Sequence, residues 1–240
     1  MTTDSQLKIQ LYADGADLQD MIEMASKPFI SGLTTNPTLM RKAGILDYAS
    51  FAKQVLTEVK EKPISFEVFS DDLEEMKRQA LELASWGSNV YVKIPVTNTQ
   101  GLTTAPVIEY LTSMGIKVNV TALMTIKQVK KVVSVLNPEI ESCISVFAGR
   151  IADTGIDPMP LMKNCVQEMS ILPNSKLIWA SPRELLNVFQ AESIGCHIIT
   201  ATSDILNKLS LVGYDLEKYS LDTVKMFYQD AKSAGYEIFI

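Results

Sequence analysis

Short strand-like runs alternate with helix-like segments eight times along this 240-residue chain. The runs are rich in β-branched and apolar residues, whereas the segments between them space their apolar residues three or four positions apart. This repetition predicts parallel strands joined by crossover helices. The predicted strands are 7–13, 29–35, 64–70, 89–96, 117–124, 142–149, 176–181 and 196–202.

Eight such units in about 200 residues fit a closed (β/α)8 TIM barrel better than an open doubly wound sheet. No GxGxxG motif follows an early strand, which disfavours a dinucleotide-binding sheet. Because no linker or low-complexity tract divides the chain, we expect residues 1–240 to form one barrel domain. The tail, about 214–240, predicts a further helix outside the eight units, packed across the barrel or on a neighbouring subunit.

Charge and cysteine content limit the classes of partner. The net charge of −6 argues against a nucleic-acid or anionic-membrane surface. The three cysteines have no CxxC spacing, which suits a reducing cytosol. No signal-like start is present, and no apolar run approaches the roughly 20 residues that span a bilayer. We therefore expect a soluble, cytoplasmic protein that binds a small molecule.

Lys93 interrupts the fourth predicted strand, VYVKIPV at 90–96, which is otherwise apolar. Strands covered on both faces normally read as unbroken apolar runs, and burying an ammonium group is costly. A chemical reason exists, because a desolvated lysine loses its proton more easily and can form a Schiff base with a carbonyl substrate. Lys93 is therefore the first candidate catalytic residue.

Polar residues interrupt the other strands on the same face. Strand side chains alternate between faces, so Val92 and Ile94 would face the helices and Lys93 the lumen. The same alternation sends Glu67 and Phe69 inward. Active sites of barrel enzymes lie at the carboxyl ends of the strands. The polar set expected there is Asp14, Asn36, Glu67, Lys93, Asn119, Thr121 and Ser145.

Structural interpretations remain open for several of these residues. Lys93 could extend to solvent at the end of its strand. Glu67 could be a structural ion-pair partner, and Asp14 a helix cap. Thr34 and Asn36 could form only a turn and cap. Convergence from six strands favours the catalytic interpretation.

Two arginines each follow a predicted strand. Arg150 follows ISVFAG, and Arg183 lies two residues after Ser181 where a helix is expected to begin. Guanidinium groups, a hydroxyl and a helix N-terminus together favour a phosphate site, although Arg183 could be an ordinary solvated helix start. Asp153 reads as a loop or cap residue, to which we assign no chemistry.

The sequence offers no metal-binding pattern. Its only histidine, His197, begins the eighth predicted strand, where a lone histidine is more often packed in the core than a ligand, so we assign it no role. Without a His, Cys and carboxylate cluster, zinc-dependent chemistry is disfavoured and we expect no cofactor. Proton transfers would then fall to Asp14 and Glu67, the latter through a water held by Thr121.

Six motifs resemble, in order, the strand-end motifs of the transaldolase family. They are GLTTNPT (32–38), SFEVFSDD (65–72), VYVKIPVTNTQG (90–101), NVTA (119–122), SVFAGRIADTG (145–155) and ASPRE (180–184). The resemblance extends from Asp14 to the eighth strand. The short chain is similar to the small branch of the family, which also contains fructose 6-phosphate aldolases.

This resemblance implies a (β/α)8 barrel with a class I mechanism. Lys93 would form a Schiff base with a ketose phosphate, fructose 6-phosphate or sedoheptulose 7-phosphate. Asp14 would handle the proton of the C4 hydroxyl, and Glu67 and Thr121 would position the catalytic water. A dihydroxyacetone unit would pass to an aldose phosphate such as erythrose 4-phosphate. The implied substrate-binding residues are Thr34, Asn36, Asn119, Ser145 and Phe147, with Arg150, Ser181 and Arg183 holding the phosphate.

The resemblance also separates the two branches. The aldolase branch carries Gln, Tyr and Lys where this chain has Glu67, Phe147 and Arg183, so the chain is more similar to the transferases. The alternatives are an aldolase that releases free dihydroxyacetone and a silent sugar-phosphate-binding barrel. The resemblance further implies carbohydrate metabolism of the pentose phosphate type and a homo-oligomer. The loop from Lys93 to Gly101 is one residue longer than is typical, which leaves the acceptor open.

Overall fold

The computed structural model describes residues 7–238, whose centre is a closed barrel of eight parallel strands. Each strand pairs with its neighbours in sequence order, and the last pairs with the first. The predicted (β/α)8 barrel is therefore confirmed. The strands are β1 Gln10–Asp14, β2 Ile30–Thr34, β3 Ile64–Glu67, β4 Val90–Pro95, β5 Val118–Leu123, β6 Ser142–Val146, β7 Ser175–Trp179 and β8 Ile198–Ala201.

Helices connect successive strands, and several begin at an aspartate that caps the first turn. The side chains of Asp17, Asp47 and Asp72 each accept a hydrogen bond from the backbone three residues ahead. The helices are α1 Leu18–Ser26, α2 Pro37–Lys42, α3 Tyr48–Glu58, α4 Leu73–Ser85, α5 Ala105–Ser113, α6 Ile126–Val133, α7 Ala148–Ala152, α8 Met159–Glu168, α9 Leu186–Ser193, α10 Ser203–Leu206 and α11 Leu216–Ser233.

Two apolar clusters hold the barrel together. The larger lies between strands and helices and contains the fully buried Val92 and Ile94, as the alternation predicts. A smaller cluster that includes Tyr12 and Ile178 fills the lumen. The Tyr12 ring lies so close to Gly32 that a Cβ there would be 2.4 Å from the Tyr12 Cζ atom. Gly32 therefore makes room for the ring that closes the lumen below the strands' carboxyl ends.

Three local predictions are wrong. Strand β6 ends at Val146, and Phe147 lies at the start of α7 rather than within the strand. Phe69 lies beyond the end of β3, is 53% exposed and packs on the outer Tyr48 ring instead of facing the lumen. His197 is exposed, and its Nδ1 accepts a hydrogen bond from the Leu177 backbone 3.0 Å away, so it is not a core residue.

The predicted C-terminal helix is α11, which has no buried residue along its eighteen positions. Its exposed apolar side chains include Val224, Met226 and Phe227. Amphipathic helices are normally stabilised by packing an apolar face. Within residues 7–238, no helix is both long enough and apolar enough to cross a membrane.

Candidate active site

A cavity of about 450 Å³ opens at the carboxyl ends of the strands. All of the sequence-predicted site residues except Asn119 line it. They are Asp14, Thr34, Asn36, Glu67, Lys93, Thr121, Ser145, Phe147, Arg150, Ser181 and Arg183.

Lys93 is buried at this cavity, with 6% of its surface exposed. It pairs in register with Glu67 across β3 and β4, which places both side chains on the lumen face. Its Nζ donates to the Thr35 carbonyl oxygen at 2.9 Å and lies 3.4 Å from the Glu67 Oε2. Because the side chain is enclosed, the solvent-extended alternative does not describe Lys93.

Asp14 lies at the end of β1 inside a hydrogen-bonded group. The Thr34 hydroxyl donates to Asp14 Oδ1 at 2.8 Å, and Asn36 Nδ2 lies 3.3 Å from Asp14 Oδ2. Burial raises the pKa of this carboxyl above its ordinary value, although Lys93 and the two hydrogen bonds partly offset the increase. Asp14 is therefore held in place and binds a proton more readily than an exposed aspartate does.

Glu67 ends β3 and faces Lys93. Burial also raises the pKa of the Glu67 carboxyl, and the charge of Lys93 counteracts part of this effect. Asp14 contributes in the upward direction, because two nearby carboxylates resist ionising together. The cavity therefore holds Lys93 beside two carboxyl groups whose pKa values are raised by burial.

Asn119 lies below the cavity, where it connects two serines. Its Nδ2 donates to the Ser65 Oγ at 3.0 Å, and its Oδ1 accepts from the Ser145 Oγ at 2.7 Å. All three side chains are buried. Asn119 thus orients Ser145, which does line the cavity.

The Thr121 hydroxyl has no hydrogen-bond partner among the residues that the structure describes. Its Oγ1 atom is buried. The pairing of β5 with β6 is irregular between Val120 and Leu123, an interval that contains Thr121, and Ala122 there has φ 65°. Both Thr121 and Ala122 line the cavity. The Thr121 hydroxyl is suited to hold a water or a substrate hydroxyl, since buried polar groups normally have partners.

The three predicted phosphate ligands come together through a close backbone contact. A Cβ on Gly149 would lie 1.5 Å from the Ser181 carbonyl oxygen, so only glycine allows α7 to approach the end of β7. This approach brings Arg150, Ser181 and Arg183 to one side of the cavity. Ser181 has φ 60°, a conformation that is uncommon for serine.

Two details of this arginine side differ from the prediction. The helix after β7 begins at Leu186 rather than at Arg183, and the Arg183 and Glu184 amides already donate to Asn187 Oδ1. In addition, Arg183 forms an ion pair with Asp153, with Nε donating to Oδ1 at 3.0 Å. Asp153 therefore orients the Arg183 guanidinium, a role that its loop position did not reveal.

Sequence reasoning also missed Thr200 on β8. Its hydroxyl lies 2.5 Å from the Thr34 hydroxyl, and it is buried at the wall of the cavity. The run IITAT (198–202) reads as an ordinary apolar strand with two threonines. The inward position of Thr200 on the alternating face was the only available signal.

The fold and site together are those of a barrel enzyme with a buried lysine. The family model described as Transaldolase/Fructose-6-phosphate aldolase matches residues 11–238. The chain belongs to this family.

Several curated relatives support this assignment. A probable transaldolase of Thermoanaerobacter sp. is 32% identical over 232 residues, covering 96% of this chain and 100% of that protein. A probable transaldolase of Hyphomonas neptunium is 33% identical over 235 residues, covering 96% of this chain and 100% of that protein. One from Sulfurihydrogenibium sp. is 33% identical over 220 residues, with 89% and 96% covered. These relatives indicate a transaldolase-type enzyme.

Solved structures of low identity share the barrel. A 2,3-dimethylmalate lyase superposes with a TM-score of 0.54 at 11% identity, covering 97% of this chain and 86% of that chain. KGPDC from Streptococcus mutans superposes with a TM-score of 0.55 at 11% identity, covering 83% of this chain and 90% of that chain. At this identity the likeness concerns the fold alone.

Proposed function

We propose that this protein is a class I transaldolase that moves a dihydroxyacetone unit from a ketose phosphate to an aldose phosphate through a Schiff base on Lys93. The observation that carries the proposal is the Lys93 Nζ, which is 3.4 Å from the Glu67 carboxylate in a cavity that Asp14 also lines. A buried amine beside groups able to take and return protons is the arrangement that imine chemistry requires.

The reaction begins with addition of the Lys93 amine to the C2 carbonyl of the donor. The Glu67 carboxylate takes the proton that leaves the Lys93 ammonium group, and its raised pKa makes it a stronger base than an exposed glutamate. The attacking nitrogen passes a proton to the carbonyl oxygen to give the carbinolamine. Its hydroxyl then takes the proton held by Glu67 and leaves as water, which forms the protonated imine and restores the Glu67 carboxylate. Thr121 and Glu67 hold that water and return it when the imine is hydrolysed.

Cleavage follows from the imine. Asp14 takes the proton of the C4 hydroxyl, the C3–C4 bond breaks, and its electron pair moves into the imine to give an enamine and a free aldehyde. The raised pKa of Asp14 makes it a stronger base than an exposed aspartate. The enamine carbon then attacks the acceptor aldehyde, and Asp14 returns its proton to the new hydroxyl.

Binding of the substrate divides between two groups of cavity residues. Asn36, Thr34, Ser145 and Phe147 line the cavity and bind the dihydroxyacetone portion, and Asn119 acts by orienting Ser145. Arg150, Ser181 and Arg183 bind the phosphate. Guanidinium groups form strong charge-assisted hydrogen bonds with phosphate oxygens, which supports this division.

The test is borohydride reduction in the presence of fructose 6-phosphate, followed by peptide mass spectrometry. A three-carbon adduct is expected on Lys93. An adduct on another lysine, or turnover with no adduct, would contradict the mechanism. A silent sugar-phosphate-binding barrel would bind the ketose without forming a reducible imine.

The second candidate is an aldolase that releases free dihydroxyacetone. Three positions favour the transferase. The aldolase branch of the family carries Gln, Tyr and Lys where this chain has Glu67, Phe147 and Arg183. Consumption of fructose 6-phosphate without added aldehyde separates the two. Rapid consumption would favour the aldolase, whereas dependence on erythrose 4-phosphate would favour the transferase.

We also propose a cytoplasmic homo-oligomer that acts in carbohydrate metabolism of the pentose phosphate type. The exposed apolar side chains of α11, including Val224 and Phe227, support an interface with a second copy. Light scattering after size exclusion tests this assembly. Phe227→Glu is expected to lower the oligomer mass, and a monomeric wild-type protein would refute the proposal.

A further inference from the structure

The Tyr48 hydroxyl, which lies outside the barrel, hydrogen-bonds with both the backbone amide and the backbone carbonyl of Glu67. The Glu67 amide donates to the Tyr48 hydroxyl oxygen at 2.7 Å, and this hydroxyl donates to the Glu67 carbonyl oxygen at 3.1 Å. Tyr48 is the first residue of α3, nineteen positions before Glu67. The side chain of a helix therefore replaces a neighbouring strand at this point.

The sheet cannot make these bonds itself. Strands β2 and β3 pair only at Leu33 with Ile64 and at Thr34 with Ser65. A regular parallel ladder would next direct the Glu67 amide to the Thr35 carbonyl oxygen. That oxygen instead accepts the Lys93 Nζ at 2.9 Å. Without Tyr48, the backbone that carries the Glu67 carboxylate would have no partner on this side.

We infer that Tyr48 is a positioning residue for the reaction and that it acts through Glu67. This inference rests on the proposed function, in which Glu67 handles the proton and the water of imine formation. The edge of β3 that faces β4 is paired up to Lys93, but at Glu67 the edge that faces β2 is held by this one oxygen atom. The direction of the Glu67 side chain therefore depends on Tyr48 as well as on β4. Misplacing a reacting group by about 1 Å costs up to a hundredfold in rate.

Tyr48 is itself held firmly in place. Its ring makes edge contacts with Phe66 at 6.1 Å and Phe69 at 4.5 Å between centroids, and it lies 6.0 Å from Trp86. Burial raises the pKa of its hydroxyl, so Tyr48 stays protonated and keeps the hydrogen that it donates. Tyr48→Phe retains the ring packing and removes only the oxygen, which makes it the appropriate variant.

The matched control is Tyr91→Phe, which removes another hydroxyl from the same barrel. The Tyr91 hydroxyl donates to Glu141 Oε2 at 3.1 Å, remote from the cavity that holds Glu67. We expect Tyr48→Phe to lower kcat by about ten- to a hundredfold with little change in KM. Tyr91→Phe is expected to leave kcat unchanged.

A double-mutant cycle shows whether Tyr48 acts through Glu67. In a Glu67→Ala background, which has no polar side-chain group to be positioned, Tyr48→Phe is expected to cause little further loss of kcat. If Tyr48→Phe lowers kcat by the same factor in both backgrounds, or does not lower it in the wild type, the inference is overturned.

A second measurement does not depend on activity. Amide exchange at Glu67, followed by NMR, is expected to be at least about tenfold faster in Tyr48→Phe than in wild type and in Tyr91→Phe, because the amide loses its acceptor. Unchanged protection would overturn the inference. If wild-type protein forms no imine, the proposed function fails, and this exchange measurement still decides whether Tyr48 holds Glu67.

Discussion

Replacing Lys93 with methionine tests both the chemistry and the electrostatics of the cavity. Methionine keeps most of the volume but has no amine, so turnover and the borohydride-reducible adduct are expected to disappear. The structure adds a second expectation, which concerns stability. Lys93 is the cation that offsets the buried carboxyls of Glu67 and Asp14.

The size of the expected stability loss follows from the burial of the Lys93–Glu67 ion pair. The Lys93 and Glu67 side chains are only 7% and 16% exposed. Removing one partner of a buried ion pair costs about 3–5 kcal/mol, because the other charge remains uncompensated. For a chain of this size, that loss lowers Tm by roughly 6–20 °C.

The unfolding free energy lost in Lys93→Met should depend on pH. Burial raises the folded-state pKa of Glu67 and of Asp14, and removing Lys93 raises both further. Groups with raised pKa stabilise the fold at low pH and lose that contribution as pH rises through the folded-state value. The difference in unfolding free energy between wild type and Lys93→Met is therefore expected to be large at pH 8 and smaller near pH 5.

The assay is urea unfolding at the two pH values, beside a coupled activity assay. A control is Lys93→Met combined with Glu67→Gln, which is expected to recover stability at pH 8 but no activity. Turnover by Lys93→Met would refute the Schiff-base mechanism. An equal stability loss at both pH values would refute the electrostatic reasoning.

Three further results are expected. Arg183→Ala should raise KM for phosphorylated donors by roughly ten- to a hundredfold, the worth of a charge-assisted hydrogen bond; an equal change for unphosphorylated dihydroxyacetone would indicate a structural arginine. Gly32→Ala should lower the unfolding free energy by about 1–3 kcal/mol, because its Cβ meets the Tyr12 ring; unchanged urea midpoints would contradict this packing. Asn119→Ala should cost about 1–3 kcal/mol by leaving buried serine hydroxyls unpaired; a stability equal to wild type would show that water replaces the amide.

The polar residues that follow an alternating pattern could be predicted from the sequence. Lys93, Glu67 and Thr121 lie on lumen-facing positions of short strands, and the cavity contains all three. Phe69 shows where such reasoning fails. Alternation holds only while the strand continues, and β3 ends at Glu67. Where a strand stops depends on its neighbours in the sheet, which the local pattern does not contain.

Contacts between distant loops could not be predicted. Asp153 and Arg183 are thirty residues apart, and each alone reads as an exposed charge. Their pairing depends on the approach of α7 to the end of β7 at Gly149. Tyr48 likewise reads as an ordinary aromatic residue at a helix start.

The sequence by itself determined the barrel and the residue types at its mouth, because the periods of two and 3.6 residues are local properties repeated eight times. Only the tertiary structure decided which groups share hydrogen bonds there. Strands β2 and β3 diverge after two paired positions. The Thr35 carbonyl oxygen therefore accepts a hydrogen bond from Lys93 Nζ, and the Glu67 amide donates to the Tyr48 hydroxyl instead. Such divergence arises from the closure of the whole barrel, which no single segment encodes.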